Sequence, residues 1–277
     1  MIKSGTPWES YTLGGRAVWV KREDLCCPPP GPSFSKLRGV ERTIISALNG
    51  ILPPTRVGVV DSVHSKAGWG VAYICRELGI GCDVYYPHLK AEPDGYVRPF
   101  QQRARDMGAI LHPLPATMSS VLYNQARSHF SSDIPSGLFL PNGLKLSETI
   151  AQTANELCLG VPKSSLNVGS VWVVSVSSGT IAAGVALGLE RMGFKGLLVL
   201  HMGFSRSAEK LSAYVRHGAQ GIRLDVVDEG YEYADAAKGS APFPCNPYYD
   251  LKAWMWLKEN IWLWSSSRLV VFWNIGA

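Results

Sequence analysis

Short runs of β-branched and aliphatic residues recur along the chain and are separated by stretches with the spacing of amphipathic helices. The runs Ala17–Val20, Val57–Val60, Cys82–Tyr86, Ile110–Pro113, Val171–Val176, Leu197–His201, Leu224–Val227 and Leu269–Trp273 predict strands. Between them, Ser35–Asn49, Gly68–Leu78, Arg98–Met107, Ser119–His129, Ser147–Leu157, Ile181–Met192, Ser207–His217 and Leu251–Glu259 predict helices. Strands that are largely apolar, alternating with helices, predict an α/β protein with mostly parallel sheets flanked by helices on both faces. Such sheets bind ligands beyond the carboxyl ends of their strands.

Two stretches interrupt the alternation. Leu25 to Ser35 is rich in Pro and Gly, and Lys163 to Gly169 is small and polar. They predict two domains: a small one over residues 45–162, and a larger discontinuous one built from 1–44 and 163–277. Each is expected to hold its own mostly parallel twisted sheet.

With 277 residues, of which 46% are hydrophobic and 18% charged, the chain has an ordinary globular composition. Its net charge of +5 comes from scattered basic residues rather than a basic run interleaved with aromatics, which argues against a nucleic-acid partner. The six cysteines show no C-x-x-C spacing. In a chain of this size that argues against a disulfide framework or a zinc site and for reduced thiols in the cytoplasm. No apolar stretch reaches 18 residues, and the N-terminus has no apolar signal core. Five of the nine Trp crowd the C-terminal end, where core and interface packing accounts for them.

Candidate chemistry lies in four turns. Lys36, in Gly31-Pro32-Ser33-Phe34-Ser35-Lys36-Leu37-Arg38, follows a strand and precedes a helix, where a lysine can form a Schiff base with a cofactor aldehyde. Ser177-Ser178-Gly179-Thr180 closes a strong strand and opens a helix. Small residues, hydroxyls and free helix N–H groups there suit a phosphate, although a plain Ser-capped turn would look the same. Asp61-Ser62-Val63-His64-Ser65-Lys66-Ala67-Gly68 is a second such turn, suited to a carboxylate, with His64 and Lys66 open to a capping or solvated role instead. Tyr231-Glu232-Tyr233 and Asn246-Pro247-Tyr248-Tyr249-Asp250 could supply a proton-relaying Tyr and an acid for a ring nitrogen, or be surface turns.

Taken in order, Lys-Arg-Glu-Asp-Leu at 21–25, Ser35-Lys36-x-Arg38, the Ser-rich turn, Ser177-Ser178-Gly179-Thr180 and the Pro247-x-Tyr249-acid-x-Lys252 stretch resemble the pyridoxal-phosphate enzymes of fold type II, the tryptophan-synthase-β-like family. Within it the chain most resembles the 1-aminocyclopropane-1-carboxylate deaminase and D-cysteine desulfhydrase branch. The resemblance implies pyridoxal 5'-phosphate as cofactor, with Lys36 as the Schiff-base lysine and later the base at the α carbon. It implies that Ser177, Ser178, Gly179 and Thr180 hold the cofactor phosphate and that Asp250 stands where the branch has a Glu facing the pyridine nitrogen. Ser65 matches a Ser that contacts substrate, and Tyr233 and Tyr249 match two active-site tyrosines. Phe272 to Ala277 matches a strand and loop that usually read His-Thr-Gly-Gly. Lys66 takes the place of an Asn that partners the ring hydroxyl, and Ile275 that of a Thr.

The implied activity is α-carbanion chemistry on a small-molecule amino acid, of the lyase or hydrolase type that releases ammonia and an oxo acid, carried out by a homodimer. Three alternatives stand beside it: β-replacement, an amino acid attached to a macromolecule, and a binding protein that keeps the fold without turnover.

Overall fold

Val171 to Val176 is apolar on both faces apart from one Ser, and every residue of it is buried. A strand of that kind needs cover above and below, and the computed structural model supplies it. The structure describes residues 1–93, 95–115, 118–167 and 169–276. Ala277, at the end of the stretch matched to the family loop, lies outside the described residues, as does Val168 in the polar break before this strand.

The first sheet has six strands: β1 (Trp8–Leu13), β2 (Arg16–Arg22), β7 (Val171–Val176), β8 (Leu197–Met202), β9 (Arg223–Val227) and β10 (Val270–Asn274). Their spatial order is β1-β2-β10-β7-β8-β9. All neighbours run parallel except the hairpin β1–β2. Alternate residues of its strands feed two cores. Trp172, Val174, Leu198, Leu200, Val271 and Trp273 pack with Ile181, Val185 and Leu189 of α6 (Thr180–Arg191). The intervening Val171, Val173, Val199, Val270 and Phe272 pack with Leu251, Trp254 and Leu257 of α8 (Asp250–Asn260). Of the C-terminal tryptophans, Trp254 and Trp273 therefore lie in the core, whereas Trp262 is 71% exposed.

The second sheet is β3 (Arg56–Val60), β4 (Gly81–His88), β5 (Ile110–Pro115) and β6 (Leu138–Phe139), in the order β5-β4-β3-β6 and parallel throughout. The helices α1 (Leu37–Leu48), α2 (Ala67–Leu78), α3 (Pro99–Asp106) and α4 (Ser119–Asp133) accompany it. Gly58 is required in β3, because a Cβ there would lie 2.4 Å from the Phe139 ring.

Contacts divide the chain into two compact units. The smaller comprises 1–2, 28–32 and 37–148, and the larger comprises 3–27, 33–36 and 149–277. Helix α1 counts with the smaller unit, and α5 (Ser147–Cys158) from Thr149 onward counts with the larger, so both divisions fall earlier in the chain than residues 45 and 162. The predicted helix over 35–49 starts only at Leu37, because the Ser35 N–H donates to Ile275 O at 3.2 Å and Phe34 bridges Gly276.

Two strands go beyond the sequence reading. In β1, Trp8-Glu9-Ser10-Tyr11-Thr12-Leu13 is half polar because it is an edge strand, and β6 is only two residues long. Among the described residues no helix is long and apolar enough to cross a membrane.

Candidate active site

The Lys-Arg-Glu-Asp stretch ends β2 and forms a buried polar network within the larger unit. The Lys21 ammonium, fully buried, donates to Glu156 Oε1 at 2.7 Å and to the Thr6 carbonyl at 2.6 Å. Arg22 grips Asp24 with two parallel bonds, Nε to Oδ1 at 2.9 Å and Nη2 to Oδ2 at 2.8 Å. Asn274, at the end of β10, donates to the same Asp24 Oδ1 at 2.9 Å and to the Pro244 carbonyl at 2.9 Å. These charges are paired and hydrogen-bonded, as burial requires. The motif ties the carboxyl ends of β2 and β10 together.

On this base, the bridge from Phe34 to Gly276 fixes the backbone just before Lys36. The Lys36 ammonium donates to Ser178 Oγ at 2.7 Å, and Ser178 Oγ lies 3.0 Å from Thr180 Oγ1. Ser178 sits in the turn from β7 into α6. The turn closes on Gly179, with a φ of +88° that favours glycine, and a Cβ there would stand 2.9 Å from the Tyr214 ring. The first turn of α6 thus presents backbone N–H groups and two hydroxyls beside an amine.

Asp250 opens α8 and is 2% exposed. Its Oδ1 accepts the backbone N–H of Ile275 at 3.1 Å. The contact uses the main chain of Ile275, so the exchange of a Thr for Ile leaves it intact, and the Ile275 side chain packs against the core around Trp273. The Tyr249 hydroxyl donates to that of Tyr233 at 3.3 Å, and Tyr233 stands edge-on to Phe204 at 5.3 Å. The larger unit therefore brings together Lys36 with Ser178 and Thr180, Asp250 with Ile275, and Tyr233 with Tyr249.

In the smaller unit, the turn after β3 is built around Asp61, which is 1% exposed. Burial pushes its carboxyl up to about 6, against the opposing pull of hydrogen bonds from Ser65, Gln101 and the N–H groups of Gly68 and Ser62. Gln101 Nε2 is 3.0 Å from its Oδ2. Gly68 is essential there, since a Cβ would come within 2.8 Å of Asp61 Oδ2 and 2.6 Å of Val84. Ser65 Oγ accepts the Ala67 N–H at 3.0 Å, at the start of α2. The Lys66 ammonium lies 5.2 Å over the Phe100 ring, and Phe100 stacks on Trp69.

The polar support residues Glu156 and Asn274 escape a reading of motifs, because their role depends on partners far away in the chain. Only the run of four charged residues in the Lys-Arg-Glu-Asp stretch hints at the network. Among the described residues no group of three His, Cys, Asp or Glu side chains is placed to hold a metal ion.

The donor set of the larger unit has the chemistry that pyridoxal phosphate needs. It offers a primary amine for the aldehyde, hydroxyls and helix N–H groups for the phosphate, and a buried acid for a ring nitrogen. The Oγ atoms of Ser35, beside Lys36, and of Ser175, near the end of β7, are buried without a hydrogen-bond partner among the described residues.

No family model matches the chain. It is 45% identical, over 284 residues spanning all of both chains, to a protein of Pseudomonas phage M6 named glycyl-dTMP PLP-dependent decarboxylase. Among solved structures it resembles an ACC deaminase homologue, with a TM-score of 0.76 and 19% identity over 99% of this chain and 90% of that one. It also resembles O-ureido-L-serine synthase, with a TM-score of 0.71 and 14% identity over 99% and 89%. Maize serine racemase gives a TM-score of 0.67 and 18% identity over 96% and 86%. The structural likenesses show a shared fold, and the phage protein matches from end to end. The chain therefore belongs to the pyridoxal-phosphate-dependent enzymes of fold type II, the tryptophan-synthase-β-like family.

Proposed function

We propose that this enzyme removes carbon dioxide from a glycyl group carried on a thymidine nucleotide. The observation that carries this reading is the 45% identity over the full length to the phage M6 protein named for that substrate and reaction. The substrate then has an amino acid end, where the chemistry occurs, and a nucleotide end, where recognition is decided.

In this reading Lys36 holds the cofactor, and Ser177, Ser178, Gly179 and Thr180 bind its phosphate at the start of α6. When bound, the cofactor accepts the electron pair left at the α carbon as a bond to that carbon breaks. Asp250 keeps a ring nitrogen protonated, with Ile275 N–H holding the carboxylate in place. The bond from the α carbon to the carboxylate carbon breaks, carbon dioxide departs, and a proton must reach the α carbon. Lys36 and the Tyr249–Tyr233 pair are the groups proposed to carry that proton. Ser65, Lys66 and the turn around them are proposed to serve the substrate carboxylate, with Lys66 as an additional positive charge.

A second reading is the deaminase-like one, with release of ammonia and an oxo acid from a free amino acid. Asp250 supports it, because an acid at the ring nitrogen stabilises the same carbanion whichever bond breaks. Hydrolytic chemistry draws no support from the relatives. A homodimer is proposed for either reading.

The test is to incubate the holoenzyme with glycyl-dTMP labelled at the carboxyl carbon. Labelled carbon dioxide with a matching amount of amine product supports the proposal. No carbon dioxide from glycyl-dTMP, with ammonia and an oxo acid released from a free amino acid in a parallel incubation, would replace it with the second reading.

A further inference from the structure

Arg206 lies in the short segment between the carboxyl end of β8 and α7 (Ala208–Arg216). Gly203, Ser205 and Ser207 of that segment are engaged. The Gly203 N–H donates to Val176 O at 2.9 Å, and the Gly203 carbonyl accepts the Lys252 ammonium. The Ser205 N–H donates to Tyr231 O at 2.8 Å, and its hydroxyl donates to Asp228 at 2.6 Å. Ser207 caps α7.

Arg206 is the exception. Its Nε and Nη2 are both buried and have no hydrogen-bond partner among the described residues. These two nitrogens form one edge of the guanidinium, the same edge with which Arg22 grips Asp24. An edge of this kind fits two oxygens of one carboxylate or phosphate. The neighbouring acids are committed elsewhere: Asp228 to Ser205 and Gly230, and Glu229 to His201. Burial lowers the pKa of Arg206. A buried donor edge that is left unmade is costly, so its retention points to an external anion.

Aromatic rings flank it. The guanidinium stands 5.6 Å over the Phe204 ring, Phe204 meets Tyr233 edge-on, and Tyr233 bonds Tyr249. The Arg206 guanidinium is therefore linked, through the Phe204 ring, to the tyrosine pair Tyr233–Tyr249 of the proposed reaction site. A negatively charged group and a flat ring system could both be met along this row.

We infer that Arg206 binds the phosphate of the substrate's nucleotide part through its Nε–Nη2 edge, with Phe204 and Tyr233 offering ring faces to the nucleoside. The inference rests on the nucleotide substrate of the proposed function. The shared chemistry is a phosphate, borne either by a free mononucleotide or by a DNA strand.

Binding of dTMP, thymidine and a short thymidine oligonucleotide to the holoenzyme, followed by calorimetry, tests it without turnover. The wild type should bind dTMP or the oligonucleotide, and the one bound more tightly identifies the source of the phosphate. Arg206→Ala should weaken that binding about 10- to 100-fold, the range for losing hydrogen bonds to a charged group. Arg206→Lys, which keeps the charge and loses the edge, should fall between. Thymidine should bind both proteins with the same low affinity. Equal binding of dTMP and the oligonucleotide by wild type and Arg206→Ala, or no binding of either by wild type, would overturn the inference. So would loss of the cofactor absorbance from Arg206→Ala, which would place the side chain on the cofactor instead. Failure of the decarboxylation assay with intact Arg206-dependent dTMP binding would sink the reaction and leave this inference standing.

Discussion

The Lys36 ammonium and Ser178 Oγ are 2.7 Å apart, and this distance joins the amine proposed to attach the cofactor to the turn proposed to hold the cofactor's phosphate. The two residues are 142 positions apart in sequence and meet because β2, β10 and β7 are neighbours in one sheet. The amine is thus held beside a helix start proposed to bind the phosphate, and this arrangement makes the first prediction direct. Lys36→Ala should fold normally and bind the cofactor only reversibly. Borohydride should fix the cofactor to wild type and leave the variant unlabelled, as read by peptide mass. Turnover should fall by about 10²–10⁴-fold, the usual worth of a positioned proton-transfer group.

Gly179 should tolerate no side chain. Its φ of +88° is costly for any residue with a Cβ, and that atom would stand 2.9 Å from the Tyr214 ring. Gly179→Ala should cost on the order of 1–3 kcal/mol of stability. It should also displace the first turn of α6 and weaken cofactor retention. Thermal melting of the apoprotein gives the first effect, and cofactor titration at 20 °C below the melting temperature gives the second. Unchanged cofactor affinity would argue that the turn does not hold the phosphate.

The parallel sheet was legible because β7, β8 and β10 are apolar apart from Ser175, His201 and Asn274, the pattern of strands covered on both faces. The edge strand β1 was not, since its Glu9, Ser10 and Thr12 face partly outward and mask the alternation. At the site, Lys36 and the 177–180 turn stood out because their local residue types already carry the chemistry. Arg206 did not, because a lone Arg in a loop looks solvated until its burial and missing partners are seen. The support of Asp250 by Ile275 was equally hidden, since it uses a backbone N–H that any residue at 275 would provide.

The same backbone contact shapes a third prediction. Asp250→Asn keeps an oxygen for the Ile275 N–H, so the protein should stay folded and bind cofactor. It removes the negative charge proposed to hold a proton on the ring nitrogen. kcat should drop by at least about 10²-fold with little change in KM, since the group acts on charge that develops during the reaction. Steady-state kinetics with cofactor occupancy measured in parallel separates this from lost binding, and full activity would remove Asp250 from the mechanism.

A fourth prediction concerns the buried pair Lys21–Glu156, both less than 2% exposed. Lys21→Met leaves the Glu156 carboxylate facing the Thr6 hydroxyl and the N–H groups of Gly5 and Thr6 without its cation. Removing one partner of a buried pair costs about 3–5 kcal/mol. Urea unfolding should show that loss at pH 7, and Lys21→Met combined with Glu156→Gln should recover a large part of it.

Asp61 gives the last prediction, in pH. Burial raises its carboxyl from 3.8 to about 6, so the folded state holds the proton more tightly than the unfolded chain does. Below pH 3.8 both states are protonated, and the group makes no difference between them. Between 3.8 and about 6 the unfolded chain ionises first, so the contribution of Asp61 to stability falls as pH rises. It is lost in full above pH 6, by about 3 kcal/mol from a difference of roughly two pKa units. Asp61→Asn has no proton to lose there. Other groups titrate in both proteins alike, so the difference between wild type and variant isolates Asp61. Stability from urea unfolding, as wild type minus Asp61→Asn, should slope downward between pH 4 and 6 and be level above pH 6.5. A level difference across the whole range would mean that Asp61 ionises normally and that its four hydrogen bonds fully offset its burial.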